Sequence, residues 1–317
     1  MKQYKNIVFL CMLIGIPFHA MSQEKHSEFP PYTIDYIYQK LNKKYPFITP
    51  IQPIVSQEII SKENVVYKTV GDQILQADIY MPKGNSKHSN PAVLLIHGGG
   101  WLTGSKENQR VMAQHLALNG FVAITASYRL GYDAPYPAAV LDLKDMIRWM
   151  RENADTYHIN PNQIAVLGGS AGAHLATLVG VTANSSLYGV NDKVSDAVQA
   201  IVNIDGIVSF IHPEAAAEGR MASIWLNGSK EDNYHNWKEA SPLEYVNGSA
   251  PPILFINSSQ PRFHAGRDDM IMILDRHHIY SEVHTLKESP HSFWLMQPWF
   301  DTTLTHVLNF LNKVLKV

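Results

Sequence analysis

Ile164-Ala165-Val166-Leu167-Gly168-Gly169-Ser170-Ala171-Gly172 decides the fold of this 317-residue chain. Its four apolar residues read as a short strand buried on both faces. The small-residue run from Ala171 to about Val179 reads as a helix. A G-x-S-x-G pattern between strand and helix demands a sharp turn that exposes the serine hydroxyl, and small flanking residues permit that backbone shape. The helix N-terminus then offers an unsatisfied N–H beside the hydroxyl, where charge would develop on an attacked carbonyl. A plain glycine-rich turn is the competing reading, and the strand–turn–helix setting weighs against it.

On either side the chain alternates strand and helix patterns. Val65–Val70 and Ile74–Met81 read as a hairpin turning at Gly71-Asp72. Strand patterns follow at 92–96, 121–127, 198–204, 253–256 and 281–286. Helical spacing covers 107–119, 138–154 and 303–315. Such alternation predicts an α/β domain with a mostly parallel sheet and helices on both faces. A polar and aromatic stretch at 210–246 interrupts it and reads as a lid or insertion. Residues 23–62 read as an N-terminal arm, and 63–317 as the catalytic domain.

His97-Gly98-Gly99-Gly100-Trp101 directly follows the strand at 92–96. Three consecutive glycines cost conformational entropy. They make sense where backbone N–H groups must come close to a ligand, and in acyl transfer that ligand is the tetrahedral oxyanion. Gly99 and Gly100 would donate from this loop, and Ala171 from the residue after Ser170.

With these motifs the sequence resembles α/β-hydrolases of the hormone-sensitive-lipase and acetyl-esterase type, including bacterial carbohydrate esterases. Ser127-Tyr128-Arg129-Leu130, Pro137-Ala138-Ala139-Val140-Leu141-Asp142 and Pro290-His291-Ser292-Phe293 extend the likeness from about Val66 to the C-terminus. The resemblance implies an α/β-hydrolase fold and serine-dependent hydrolysis without a cofactor. It assigns Ser170 as nucleophile and His291, between the last strand and the final helix, as base. His97 is expected to shape the oxyanion loop, and His174 to pack. Chain order places an acid between Ser and His. The loop where the family carries it, 257–263, has no carboxylate. Asp268 and Asp269 are the preferred candidates, with Asp205 and Glu288 as alternatives. A charge favourable to a helix N-terminus is the competing role for Asp268 and Asp269.

Composition narrows the rest. Formal net charge is −2 with no basic patch, which gives a nucleic-acid partner no support. Lys2 and Lys5 precede an apolar run, Ile7 to Phe18, and Ala20-Met21-Ser22. This predicts a signal peptide at 1–22, cleaved after Ser22, with a periplasmic or secreted product and no membrane association of the mature form. The one cysteine, Cys11, would leave with it, removing thiol chemistry and disulfides. His277 and His278 are adjacent and share no helical face, so they suggest no metal site. Trp101, Trp225, Trp237, Trp294 and Trp299 fall in segments expected around the site, as packing or as sugar-stacking surfaces. Trp101, Trp294 and Arg262 are the candidate substrate contacts, and Arg262 and Arg267 would suit a uronate carboxylate. The expected substrate is an ester-bearing polysaccharide. An amidase or small peptidase, a lipid hydrolase and a noncatalytic carbohydrate-binding protein are the rivals.

Overall fold

The computed structural model describes residues 28–84, 89–189 and 193–316. The predicted signal peptide lies outside the described residues. The strands are β1 (Thr49–Pro50), β2 (Ile59–Val70), β3 (Gln73–Pro82), β4 (Asn90–Ile96), β5 (Val122–Ala126), β6 (Ile159–Gly169), β7 (Ala200–Ile204), β8 (Ile253–Asn257), β9 (Ser281–Thr285) and β10 (Met296–Gln297). The helices are α1 (Ile34–Leu41), α2 (Arg110–Leu118), α3 (Ala138–Glu152), α4 (Ala154–Tyr157), α5 (Ala171–Val181), α6 (Arg220–Trp225), α7 (Tyr234–Glu239), α8 (Arg267–Arg276) and α9 (Trp299–Leu315).

Eight strands form one sheet in the order β2-β3-β5-β4-β6-β7-β8-β9. β3 pairs antiparallel with β2 and β5, and every later pair is parallel. This is the mostly parallel sheet that the strand–helix alternation predicts, and the α/β-hydrolase fold that the resemblance implies. Two-residue periodicity divides its core. Leu94 and Ile96 face a cluster with Val140, Met146 and Ile147 of α3 and Leu175 of α5. Val93 and Leu95 face the opposite cluster, with Val111 and Leu116 of α2 and Phe310 and Leu311 of α9. A strand buried on both faces needs this unbroken apolar run, and truncating Leu94 to Ala would cost about 2–5 kcal/mol.

The N-terminal arm is more ordered than its sequence suggests. It contains α1, capped by Thr33, whose Oγ1 accepts the Tyr36 N–H at 3.1 Å. It also contains β1, which pairs antiparallel with β10. Its last residues, from Ile59, already belong to β2 and pair with β3. The 210–246 insertion holds α6 and α7 around the buried Trp225 and Trp237. The final helix begins at Trp299, four positions before the apolar spacing becomes regular.

Candidate active site

Ser170 stands at the carboxyl end of β6, between strand and helix, at φ 56° and ψ −126°. A non-glycine residue held there stores roughly 1–3 kcal/mol of strain. Its N–H donates to Ile204 O at 2.9 Å, which fastens the turn to the neighbouring β7. The glycines are dictated by close backbone crossings. A Cβ on Gly168 would lie 2.1 Å from Gly172 O, and one on Gly172 would lie 2.2 Å from Ile96 O.

The Ser170 Oγ hydroxyl reaches His291 Nε2 at 2.8 Å, and His291 Nδ1–H donates to Asp205 Oδ2 at 2.7 Å. Asp205 is fully buried one residue beyond β7, at φ 55°. Its Oδ1 accepts the Ser258 N–H at 2.8 Å, and His264 Nε2 lies 3.4 Å from it. Burial pushes the Asp205 carboxyl up, yet the facing His264 and His291 rings and the Ser258 N–H outweigh it and hold it down at about 2. Phe263 stacks flat on the His291 ring, with centroids 3.5 Å apart and planes 10° apart.

Asp205 therefore occupies the position that the sequence reading assigned first to Asp268 and Asp269. Both of those sit in the first turn of α8, pointing elsewhere. Asp268 is 76% exposed and bonded to Arg267, while Asp269 is about half exposed near His212. They are placed to complement the dipole at the N-terminus of α8. Glu288 is exposed as well.

The glycine loop curls beside the serine. Gly99 and Gly100 take φ values of 117° and 59°, which residues with a side chain rarely adopt. Gly98 is pressed so close to the elbow that a Cβ would lie 2.7 Å from Gly169 O and 3.2 Å from Ser170 Cβ. Ala171 opens α5, so its N–H has no intrahelical acceptor. His97 is buried, stacked on Tyr128 and bonded through Nδ1 to Gly98 O at 2.8 Å. Burial drives its pKa down to about 4, against the Gly98 carbonyl, so the ring is neutral and structural. The Tyr128 hydroxyl donates to His97 O at 2.9 Å, and Arg129 forks onto Asp142 through two 2.8 Å bonds. The motifs at 127–130 and 137–142 thus brace the loop. His174 packs as expected, accepting the Trp101 indole N–H at 3.1 Å on Nδ1 and lying 2.7 Å from Ala240 O through Nε2.

Ser170, His291, Gly99, Gly100 and Ala171 open into one cavity of about 640 Å³. The N-terminal arm supplies a wall of it through Phe29, Tyr32 and Tyr36. The Tyr32 hydroxyl is 3.0 Å from Ser292 Oγ, next to His291. Glu218 and Met221 of the insertion face in from another side, with Arg262 and Phe263. The sequence reading missed Tyr32, Glu218 and Phe263, since nothing in their local pattern distinguishes them.

The tryptophans serve packing. Trp101 reaches the lining but is 5% exposed, stacked on the buried Trp225 at 5.3 Å. Trp294 is 2% exposed, wedged edge-on to His291 and against Gly169, so it supports the elbow and is no substrate platform. Trp299 joins Tyr45 and Phe47 in a separate aromatic group. Arg267 binds Asn257 and Asp268 and does not reach the cavity, whereas Arg262 does.

A hydroxyl bonded to an imidazole, itself oriented by an ionised buried carboxylate, is equipped for nucleophilic acyl transfer. Among the described residues no cluster of His, Cys, Asp or Glu could hold a metal ion.

A family model described as BD-FAE matches residues 77–265. Esterase LipC of Mycobacterium tuberculosis is 29% identical over 208 residues, 63% of this chain and 51% of that protein. Esterase LipQ of the same organism is 31% identical over 176 residues, 54% of this chain and 42% of that protein. The matched stretch thus spans about half the length of these curated relatives or less. A thermophilic esterase of Thermogutta terrifontis superposes with a TM-score of 0.67 at 23% identity, over 83% of this chain and 94% of its own. A truncated carbohydrate esterase from gut microbiota gives a TM-score of 0.71 at 23% identity, over 84% and 100%. At these identities the structural likeness establishes the α/β-hydrolase fold.

Proposed function

From a chain that belongs to the BD-FAE family of α/β-hydrolases, we propose a serine carboxylester hydrolase acting on polysaccharide-borne acetyl, methyl or feruloyl esters of xylan or pectin type. The observation that carries this reading is the Ser170–His291–Asp205 array opening on a cavity that Gly99, Gly100 and Ala171 also line. Ser170 Oγ attacks the ester carbonyl carbon while its proton passes to His291 Nε2. Asp205 keeps Nδ1 protonated and stabilises the imidazolium. The carbonyl oxygen becomes an oxyanion held by the Ala171 N–H and those of Gly99 and Gly100. Collapse of the intermediate expels the alcohol, which takes the proton from His291. Water, deprotonated by the same ring, then attacks the acyl-Ser170 ester and releases the carboxylic acid.

The names of the esterase relatives and of the gut carbohydrate esterase support the ester and the carbohydrate parts of this reading. A cavity walled by arm and insertion suits a substrate larger than a free short-chain ester. Export rests on residues 1–22, and the N-terminal mass of protein recovered outside the cytoplasm tests it. For the activity, acetate, methanol and ferulate release is measured from a panel of esterified polysaccharides beside p-nitrophenyl acetate and an aminoacyl anilide. Release from at least one polysaccharide, without anilide cleavage, is expected. Anilide cleavage alone would assign an amidase instead.

A further inference from the structure

Glu218 has no part in that mechanism, yet it is a carboxyl group 12% exposed at the wall of the reactive cavity. Burial pushes its pKa up, only partly offset by Arg262 and His291. A buried carboxyl with a raised pKa in a cleft is a candidate functional group. Among the described residues its nearest cationic partner is Arg262, with Nη2 3.8 Å from Oε1, beyond hydrogen-bond length. Both groups therefore keep their hydrogen-bonding capacity for whatever enters. Arg262 is also held in place, its guanidinium 4.4 Å above the Phe263 ring, which in turn stacks on His291. An acceptor and a donor are thus set side by side on the wall of the cavity that Ser170 also lines.

We propose that Glu218 and Arg262 form a recognition site for the hydroxyl groups of a neutral carbohydrate. This deepens the proposed function and rests on it for the reaction, though not for the binding. A sugar's vicinal hydroxyls can donate to one group and accept from the other. A uronate carboxylate placed at Glu218 would face like charge, which disfavours it there relative to a neutral sugar. Discrimination of this kind comes from the repulsive element as much as the attractive one. Arg220 is paired with Glu28 of the arm, which leaves Arg262 as the cation beside Glu218.

The test is direct binding together with kinetics, using the full chain. Calorimetric titration with xylotetraose and with a galacturonate oligomer of equal length is run on wild type, Glu218→Ala and Glu218→Gln. Losing a hydrogen bond to a charged group corresponds to roughly a 10- to 150-fold change. We expect xylotetraose to bind wild type, to weaken at least tenfold in Glu218→Ala and less in Glu218→Gln, and to bind more tightly than the uronate. In parallel, kcat/KM for an acetylated xylo-oligosaccharide should fall at least tenfold relative to that for p-nitrophenyl acetate. Equal xylotetraose affinity within twofold across the three proteins overturns the proposal. So does failure of wild type to bind it, or tighter uronate binding. If xylotetraose binds as expected but no ester is cleaved, the reaction assigned under the proposed function fails and the site stands.

Discussion

Asp205 Oδ2 lies 2.7 Å from His291 Nδ1, bringing together residues 86 positions apart. The contact depends on β7. Ile204 O holds the Ser170 N–H, and the next residue turns at φ 55° to point its carboxylate at the histidine. One strand end thus fixes both the nucleophile and the orienter of its base.

Replacing Asp205 with Asn should lower kcat by at least about 10²-fold and toward 10⁴-fold, with little change in KM, because the lost interaction acts in the transition state. Asn at Asp268 or Asp269 should leave kcat within a few-fold of wild type. Steady-state kinetics of the three variants decides this. A severe loss at 268 or 269 with a mild one at 205 would reverse the assignment.

His264 acts, on this geometry, through Asp205. Its Nδ1 lies 3.5 Å from Arg267 Nη1 and its Nε2 faces Asp205 Oδ1. His264→Gln retains a donor at the Nε2 position and should keep kcat within about fivefold, whereas His264→Leu should lose about tenfold or more with KM unchanged. Equal kcat values for the two variants would remove His264 from the site.

The glycine loop gives a steric prediction. A Cβ at Gly99 would lie 2.1 Å from Thr103 O, on a backbone at φ 117°. Gly99→Ala should therefore displace the loop and cut kcat by roughly 10²–10³-fold, the usual loss of an oxyanion donor. A folded variant with wild-type kcat would show that Gly99 plays no such part.

Two buried histidines make the fold acid-sensitive. Burial drives His97 and His174 down to about 4, despite the Gly98 and Ala240 carbonyls that favour their protonation. Since the folded pKa lies below the ordinary value of 6.5, the unfolded chain binds more protons between the two. Stability is full above about pH 6.5, falls as pH drops toward 4, and levels below it, by about 3 kcal/mol per ring at most. Denaturant melts at pH 7, 6, 5 and 4 measure the decline. His174→Phe should make it shallower, and an unchanged slope would mean that His174 contributes nothing to it.

Legibility followed the kind of constraint each residue obeys. The elbow and glycine loop were readable because backbone crossings at Gly168, Gly172 and Gly98 leave room for no side chain. The sheet was readable because strands such as β4 are buried on both faces and need uninterrupted apolar runs. Asp205 was only an alternative, because one aspartate after a strand looks like any turn residue. Its role exists only once β7 lies between β6 and β8. The arm's Tyr32 and the insertion's Glu218 reach the cavity through tertiary placement, which leaves no periodic trace. The tryptophans misled for the opposite reason. Trp101 and Trp294 border the site, but their rings, like those of Trp225 and Trp237, are spent on packing.

Active-site labelling tests whether Ser170, activated by His291, is the nucleophile. A fluorophosphonate probe is added to wild type, Ser170→Ala and His291→Ala, followed by intact-mass and peptide mass spectrometry with parallel ester turnover. One adduct per wild-type chain is expected, located on Ser170 and abolishing turnover in proportion. Ser170→Ala should give no adduct, and labelling of His291→Ala should slow by at least about 10²-fold. An adduct on another residue, or ester turnover retained by purified Ser170→Ala, would contradict it.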